Sequence, residues 1–524
     1  MRQPYGRDIA STVVYAHPVW FAAQGYHVVI QDVRGRGDSE GEFYPFRHEA
    51  EDGCDAIAWA ATLPESNGKV GMYGFSYQGL TQLLAAALQP PALVAIAPAM
   101  TAGDLYHGWF YQGGMFRLAG GIGWGTQMLR ADATRLGLDE AREALEQAWR
   151  NLPQAYAQAP YGCIPALTRS DLPSYYRDWV EHDTPGPYWA GLDISTRPGA
   201  IKVPALHVAG LYDTFLQGSL DCFERLVAEG GSSLARENQY LVLGPWQHIP
   251  WTRQIGEQDL GPEAILDTDR LLVRWFDHWL KGGASRWEEP KVRYFCLGGN
   301  QWRNSEAWPP ASHALTLHLD SEGKANSMHG DGRLTSSPPR ETRPHDVVVA
   351  DPEVPVSAPG GPTAAPGPFR QNRIAAGNNV LVYRSAPLEL PLEVCGNPEL
   401  RVHLSASEQE CDVVAKLTRI DANDQAWFLC LGAARASRQL LGPRLVADEP
   451  AEWAIRLEAT ACRFEQGERI GLEIAGTAFP LLDRSANRQD VPAREAGPAN
   501  WRRVTLHVLH EARHPSRLIL PTIH

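Results

Sequence analysis

Short apolar runs alternate with stretches of helical spacing through the first half of the chain. The runs at 26–31, 69–73, 93–97, 206–209 and 240–243 have the continuous hydrophobic character of strands buried on both faces. Between them fall patterns such as Cys54, Ile57, Ala58 and Ala61, apolar at the three- and four-residue intervals of a helix face. Strand and helix in alternation predict a parallel α/β sheet. The alternation stops between Ala97 and Lys202. There the helical stretch 130–152 and the aromatic-rich segments 106–116 and 175–189 predict a helical insertion whose rings are suited to roofing an apolar pocket. From about Lys291 short alternating runs at 315–319, 380–383, 400–404, 413–417, 470–474 and 504–508, separated by Gly, Pro and Asn, predict a β-sandwich. The Pro-, Gly- and Ala-rich stretch 352–368 reads as a surface loop. The expected organisation is an α/β domain from 1–100 and 201–290, a helical cap over 101–200, and an all-β domain over 291–524.

Length and composition fit that division. A chain of 524 residues, 44% hydrophobic, is long enough for two or three domains with sizeable cores. No apolar run approaches the roughly 18–20 residues needed to span a bilayer, and Met1 to Asp8 does not form a signal peptide, so the expected location is the cytoplasm. Lys and Arg total 48 against 61 acids, a net charge of −13, which disfavours nucleic acid and anionic membrane as partners. The eight cysteines contain no C-x-x-C pair and are expected to be reduced and mostly buried. No H-E-x-x-H spacing occurs. The glycine-rich run Arg34-Gly35-Arg36-Gly37-Asp38-Ser39-Glu40-Gly41 lacks the Lys-Ser/Thr ending of a phosphate loop. Neither a metal nor a cofactor is therefore expected.

The candidate chemistry lies just beyond the strand-like runs. Val70-Gly71-Met72-Tyr73-Gly74-Phe75-Ser76-Tyr77-Gln78-Gly79 precedes the helical face Leu80, Leu83, Leu84, Ala87, which places Ser76 in a sharp strand-to-helix turn. A serine so placed stands clear of the sheet at a helix N-terminus, where backbone N–H groups stabilise developing negative charge. The generic elbow reads G-x-S-x-G; here Gln78 occupies the second glycine slot and Gly79 comes one residue late. A nucleophilic serine needs a base and a carboxylate to orient it. Asp213 follows the run Pro204-Ala205-Leu206-His207-Val208-Ala209-Gly210, and His248 follows Tyr240-Leu241-Val242-Leu243-Gly244 and a proline turn. The order Ser, Asp, His is that of an α/β-hydrolase triad, and ligands of open parallel sheets bind beyond the carboxyl ends of the strands. His207, inside its own run, reads as a core residue.

These stretches, with Pro4-Tyr5-Gly6-Arg7, Gln31-Asp32-Val33-Arg34-Gly35-Arg36-Gly37-Asp38-Ser39-Glu40-Gly41, Gly244-Pro245-Trp246-Gln247-His248 and Arg274-Trp275-Phe276-Asp277-His278-Trp279-Leu280-Lys281-Gly282, resemble the cocaine-esterase-like branch of the X-prolyl dipeptidyl-peptidase group of serine hydrolases. That group also contains α-amino-acid ester hydrolases and glutaryl-cephalosporin acylases. The resemblance covers nearly the whole chain, and its G-x-S-Y-x-G form accounts for the displaced glycine. It implies an α/β-hydrolase sheet with a helical cap and a C-terminal jelly roll. It also implies an oxyanion hole made by the Tyr77 backbone N–H and the Tyr5 hydroxyl, a donor worth roughly 2.7–4 kcal/mol of barrier. Family members begin with a strand pair carrying a D-G-x-x-L-type segment ahead of the tyrosine, whereas this chain starts almost at Tyr5. The expectation is that the start codon has been placed too late, in which case a signal peptide could have been lost with the first strands; the alternative is that these strands are truly absent and leave an uncovered sheet edge open to self-association.

The expected function is two-step hydrolysis of a small ester, amide or short peptide, with Ser76 as nucleophile, His248 as base, Asp213 as orienter and Tyr5 with Tyr77 at the oxyanion. Amino-ester hydrolases of the group carry acids two and three residues after the triad aspartate; here those positions are Phe215 and Leu216, which favours a neutral or aromatic acyl group. X-Pro dipeptidyl-peptidase and α-amino-acid ester hydrolase activity are the alternatives within the group. The alternative of another class is an inactive hydrolase scaffold carrying a ligand-binding jelly roll.

Overall fold

Two short strands open the chain in the computed structural model, which describes residues 1–282, 287–438 and 444–523. β1 (Arg2–Gln3) and β2 (Gln31–Asp32) pair in parallel as a ribbon of their own. The six-stranded sheet is built from β3 (Val70–Phe75), β4 (Leu93–Ala99), β5 (Ala205–Tyr212), β6 (Gln239–Gln247), β7 (Val292–Cys296) and β8 (Gln301–Ser305), in the order β8-β7-β6-β5-β4-β3. Pairing is parallel from β3 to β7, and β8 closes the far edge antiparallel to β7. Every residue of β5 and all but Gln247 of β6 are buried, which is why these strands read as unbroken apolar runs. The helices α1 (Glu49–Ala61), α2 (Tyr77–Ala87), α3 (Leu216–Glu229) and α4 (Thr268–Leu280) supply the crossovers and covers.

One predicted strand is mostly absent. Of the run 26–31 only Gln31 joins a strand, pairing with Arg2, while the Met1 amine donates to the Val29 carbonyl at 2.9 Å. Residues 26–29 instead line, with residues 69–73, a cavity of about 270 Å³.

The chain divides into two compact units. The first comprises Met1–Trp109, Pro185–Ile255 and Asp259–Pro310, and contains the six-stranded sheet. The second comprises Phe110–Thr184, Gly256–Gln258 and Ala311–His524. Its helical part includes Leu118–Arg135, Asp139–Arg150 and Leu152–Ala157, where the sequence predicts one stretch over 130–152. Gly137, at φ +69°, makes the first break in the left-handed conformation that glycine adopts without penalty. Its β part is a thirteen-stranded network in which the six predicted short strands appear as His313–Asp320, Leu381–Ser385, Glu399–Ala406, Asp412–Ile420, Arg469–Ala475 and Val504–Leu509. Within this unit the buried Arg435 is held by Asp412 at 2.7 and 2.8 Å and by Asp483 at 2.8 Å, and Asp483 also accepts from the Tyr161 hydroxyl at 2.8 Å. Pairing on both sides is what permits so buried a charge. The stretch 352–368 forms neither helix nor strand, but it is pinned: Val356 N–H donates to Thr477 Oγ1 at 2.8 Å and Phe479 N–H to the Val356 carbonyl at 2.9 Å. All eight cysteines are free, six of them buried. No helix among the described residues is long and apolar enough to cross a membrane.

Candidate active site

The elbow is a consequence of side-chain size on either side of Ser76. Ser76 sits at φ 62°, ψ −127°, a conformation costly for any residue but glycine. Its N–H is clamped by the carbonyls of Ala99 at 2.8 Å and Met100 at 3.1 Å, at the end of the neighbouring strand β4. A Cβ on Gly74 would lie 2.5 Å from Gln78 Cβ, and one on Gly79 would lie 2.7 Å from Thr101 Cβ. The displaced glycine therefore lets the first turn of α2 pass close to the end of β4. Gln78 uses the slot it occupies to accept from Phe75 N–H at 3.3 Å and to donate to Gln3 Oε1 at 3.2 Å and to the Ser11 hydroxyl.

Asp213 and His248 are brought side by side by one irregularity in register. Gly210 pairs with Gly244, and with no slip Asp213 would face Gln247. A one-residue bulge on the β6 side pairs Tyr212 with Gln247 instead, so Asp213 and His248 leave adjacent strands together. His248 Nδ1–H donates to Asp213 Oδ1 at 2.7 Å, and Asp213 is 1% exposed. A bond to Nδ1 leaves Nε2 as the nitrogen that accepts a proton.

Strand order alone would set His248 far from Ser76, since β6 lies three strand spacings, roughly 14 Å, from β3. The chain after β6 turns back across that gap. Trp251 donates its indole N–H to the His248 carbonyl at 3.0 Å and packs against Phe75 and Tyr15, at 6.1 and 5.6 Å between centroids. The imidazole itself lies 5.4 Å from the ring of Phe75, the residue immediately before Ser76. No hydrogen bond joins Ser76 Oγ to His248 among the described residues. Such a bond commonly tightens only when substrate is bound.

Tyr77 is the first residue of α2, in the turn where helical N–H groups have no carbonyl four residues earlier to bond. Its side chain is fully buried. The phenol donates to Glu49 Oε1 at 2.7 Å and accepts from Phe46 N–H at 3.0 Å. Tyr5 lies in the bend after β1, half-buried, with the bend closed by Gln3 Nε2 donating to the Gly6 carbonyl at 3.0 Å. Through Gln3 and Gln78 this bend is tied to the elbow helix.

Of the rings around these groups the sequence singled out Phe215, Tyr77 and the segment 106–116, but neither Phe46 nor Trp251. Phe215 packs edge-on to His248 at 5.2 Å, Trp109 lies 3.9 Å from Phe215, Phe46 is 5.2 Å from Trp109, and Tyr77 stacks on Phe46 at 4.6 Å. A continuous row of aromatic side chains thus runs from the candidate base to the elbow helix. Trp109 comes from a π-helical turn, Tyr106–Phe110, inside the aromatic-rich segment 106–116, and that density of rings was its only sequence signal.

His207 lies inside β5 as a core residue. It is 2% exposed and donates Nε2–H to Gln239 Oε1 at 2.9 Å. Burial pulls its pKa from 6.5 to about 4, so the folded protein keeps it neutral. The unfolded chain takes up this proton as pH falls below 6.5 and the folded chain does not until about 4. The stability it contributes is complete above the unfolded value and is lost as the pH drops across that window, by about 3 kcal/mol. Urea midpoints recorded across this range are expected to fall less steeply for His207→Gln than for the native protein. Equal slopes would assign the acid sensitivity elsewhere.

Residues 1–250 match the X-Pro dipeptidyl-peptidase (S15 family) profile, and residues 285–519 match the X-Pro dipeptidyl-peptidase C-terminal non-catalytic domain. The chain is 33% identical to cocaine esterase from Rhodococcus sp. (strain MB1 Bresler), over 96% of this chain and 89% of the relative. Among solved structures, an aminopeptidase from a marine sediment archaeon (Thaumarchaeota archaeon) superposes with a TM-score of 0.81 at 24% identity, covering 100% of this chain and 91% of the other. An α-amino acid ester hydrolase superposes with a TM-score of 0.78 at 22% identity, with the same coverages of 100% and 91%. At these identities the two structures speak to the fold.

Proposed function

Because the chain belongs to the X-Pro dipeptidyl-peptidase (S15) family of serine hydrolases, we propose that it cleaves carboxylic esters with a neutral, preferentially aromatic acyl group, through an acyl-enzyme on Ser76. The observation that carries the substrate reading is the apolar flank of His248. Phe215, two residues after the aspartate, packs on the imidazole and on Trp109, and Leu216 beside it is 1% exposed. An acyl group seated there meets rings and no carboxylate from these two positions.

In this reading Ser76 Oγ attacks the ester carbonyl while its proton passes to His248 Nε2. Asp213 holds the imidazole in the tautomer that accepts that proton and stabilises the imidazolium that results. The carbonyl electrons move onto oxygen, where the Tyr5 hydroxyl and the Tyr77 N–H donate to the oxyanion. As the intermediate collapses, the C–O bond to the alcohol breaks and the alcohol leaves with the proton from His248. Water then repeats the sequence on the acyl-enzyme, releasing the acid and restoring Ser76. The substrate is a small molecule, since a net charge of −13 favours neither nucleic acid nor anionic membrane. Eight free cysteines suit a cytoplasmic enzyme.

The test is kcat/KM for a phenylacetyl ester against the phenylglycyl ester of the same alcohol, which are similar in shape and differ by an ammonium. The phenylacetyl ester is expected to win by roughly 10- to 100-fold, because the ammonium must be desolvated against rings without a partner. A preference for the phenylglycyl ester would reveal a carboxylate at the acyl site and move the assignment to an α-amino-acid ester hydrolase or an X-Pro peptidase.

A further inference from the structure

Behind the elbow lies a buried charged group that the reaction as described does not use. Glu49, in the first turn of α1, is 4% exposed. Its Oε1 accepts the Tyr77 phenol at 2.7 Å, and its Oε2 lies 2.8 Å from Arg2 Nη1, whose N–H is directed at the Glu49 carbonyl at 3.0 Å. Arg2 is equally buried and also donates Nε–H to Gln31 Oε1 at 2.8 Å. One carboxylate thus receives the strand that leads into Tyr5 and the side chain of the residue whose N–H is the other oxyanion donor.

Burial of such a group is costly, and it is offset by the Tyr77 phenol hydrogen-bonded to Oε1 and by the charge of the Arg2 guanidinium beside Oε2, which makes no hydrogen bond of its own. Burial and the Glu49 charge hold the Tyr77 phenol well above its ordinary pKa, so it remains a donor to the carboxylate. The tie is short and made of buried parts, unlike a surface ion pair. A second link, from Gln78 to Gln3, joins the same two segments. Two bridges thus tie β1 to α2, one ending on Tyr77 itself and the other on Gln78 beside it, and both start from the strand two and three residues ahead of Tyr5.

We propose that Glu49 is a positioning residue that sets the spacing between the two oxyanion donors, holding the Tyr5 segment through Arg2 and the elbow helix through Tyr77. The inference rests on the oxyanion assignment above. Its consequence is kinetic: donors aimed at a developing charge lose most of their value when displaced by about 1 Å, a shift that can cost on the order of 100-fold in rate.

A double-mutant cycle with Tyr5→Phe on a neutral aryl ester tests it. Glu49→Gln is expected to lower kcat by about 30-fold with KM changed by no more than about 2-fold, since the ground-state carbonyl does not need the donors in register. In the Tyr5→Phe background the same substitution is expected to cost only about 3-fold, because the spacing no longer matters once one donor is gone. Equal losses in both backgrounds would overturn the proposal and make Glu49 a general support of the fold. An unchanged kcat for Tyr5→Phe alone would instead remove the oxyanion assignment, and the inference with it. Should Glu49→Gln fail to fold, Tyr77→Phe takes its place in the cycle, because it cuts the tie and leaves the Arg2–Glu49 pair intact. Additive losses there would overturn the proposal equally.

Discussion

Ser76→Ala is expected to reduce kcat toward an activated aryl ester by about 10⁶-fold while leaving the protein folded and able to bind. The change removes a single oxygen and no core volume. The clamp on the Ser76 N–H by Ala99 and Met100 is made by the backbone, so it survives the substitution. What remains, on the proposed assignment, is a site with oxyanion donors and an apolar flank but no nucleophile, and such sites retain roughly 10³–10⁴-fold over water from binding and electrostatics alone. KM should therefore move little. A purified Ser76→Ala protein that kept activity within about 10-fold of the native enzyme would mean that another group forms the acyl intermediate.

Asp213→Asn is expected to lower kcat by about 10⁴-fold, with KM again nearly unchanged. The carboxylate accepts one bond, from His248 Nδ1, and its second oxygen is buried without a hydrogen-bond partner. An amide at this position can offer an N–H to the imidazole, which stabilises the tautomer with its proton on Nε2 and disables the base without changing the shape of the site. Asparagine is nearly isosteric, so any loss reads the charge and the tautomer. Full activity in Asp213→Asn would show that the bulge between β5 and β6 serves the fold alone.

Much of this was legible because the informative residues follow short apolar runs. Ser76, Asp213 and His248 each lie just beyond an apolar strand, and for Asp213 and His248 its burial on both faces makes it visible in sequence. The bulge that sets Asp213 opposite His248 was not legible, since a one-residue slip leaves no mark in hydrophobicity. Phe215 was placed beside the acyl group, but its neighbours were not, because Phe46, Trp109 and Trp251 come from three other segments that meet only in the folded chain. Glu49 was hidden for a different reason. It stands in the acidic run Glu49-Ala50-Glu51-Asp52, which looks solvated, and only its spacing with Gly53 and Ile57 on one helix face marks it as buried.

Pairing also decided what sequence pattern left open. The run 26–31 has strand composition, but only Gln31 of it pairs with a neighbouring strand. Val292–Cys296, placed by pattern at the start of the all-β region, pairs in parallel with β6 and extends the first sheet. A strand's sequence reports that it is buried, and its neighbour determines which sheet it joins. Gln78 shows the same limit at a single residue. Its departure from the generic elbow was visible, but its link to the Tyr5 segment through Gln3 was not.

Covalent labelling tests most directly the proposal that Ser76 is a nucleophile activated by His248. Native protein treated with a fluorophosphonate, digested and mapped by mass spectrometry is expected to carry one adduct per chain, on Ser76, with labelling slowed by several orders of magnitude in His248→Ala. An adduct on another residue would contradict the site. No adduct on folded native protein would contradict the chemistry and leave a hydrolase scaffold that binds without reacting.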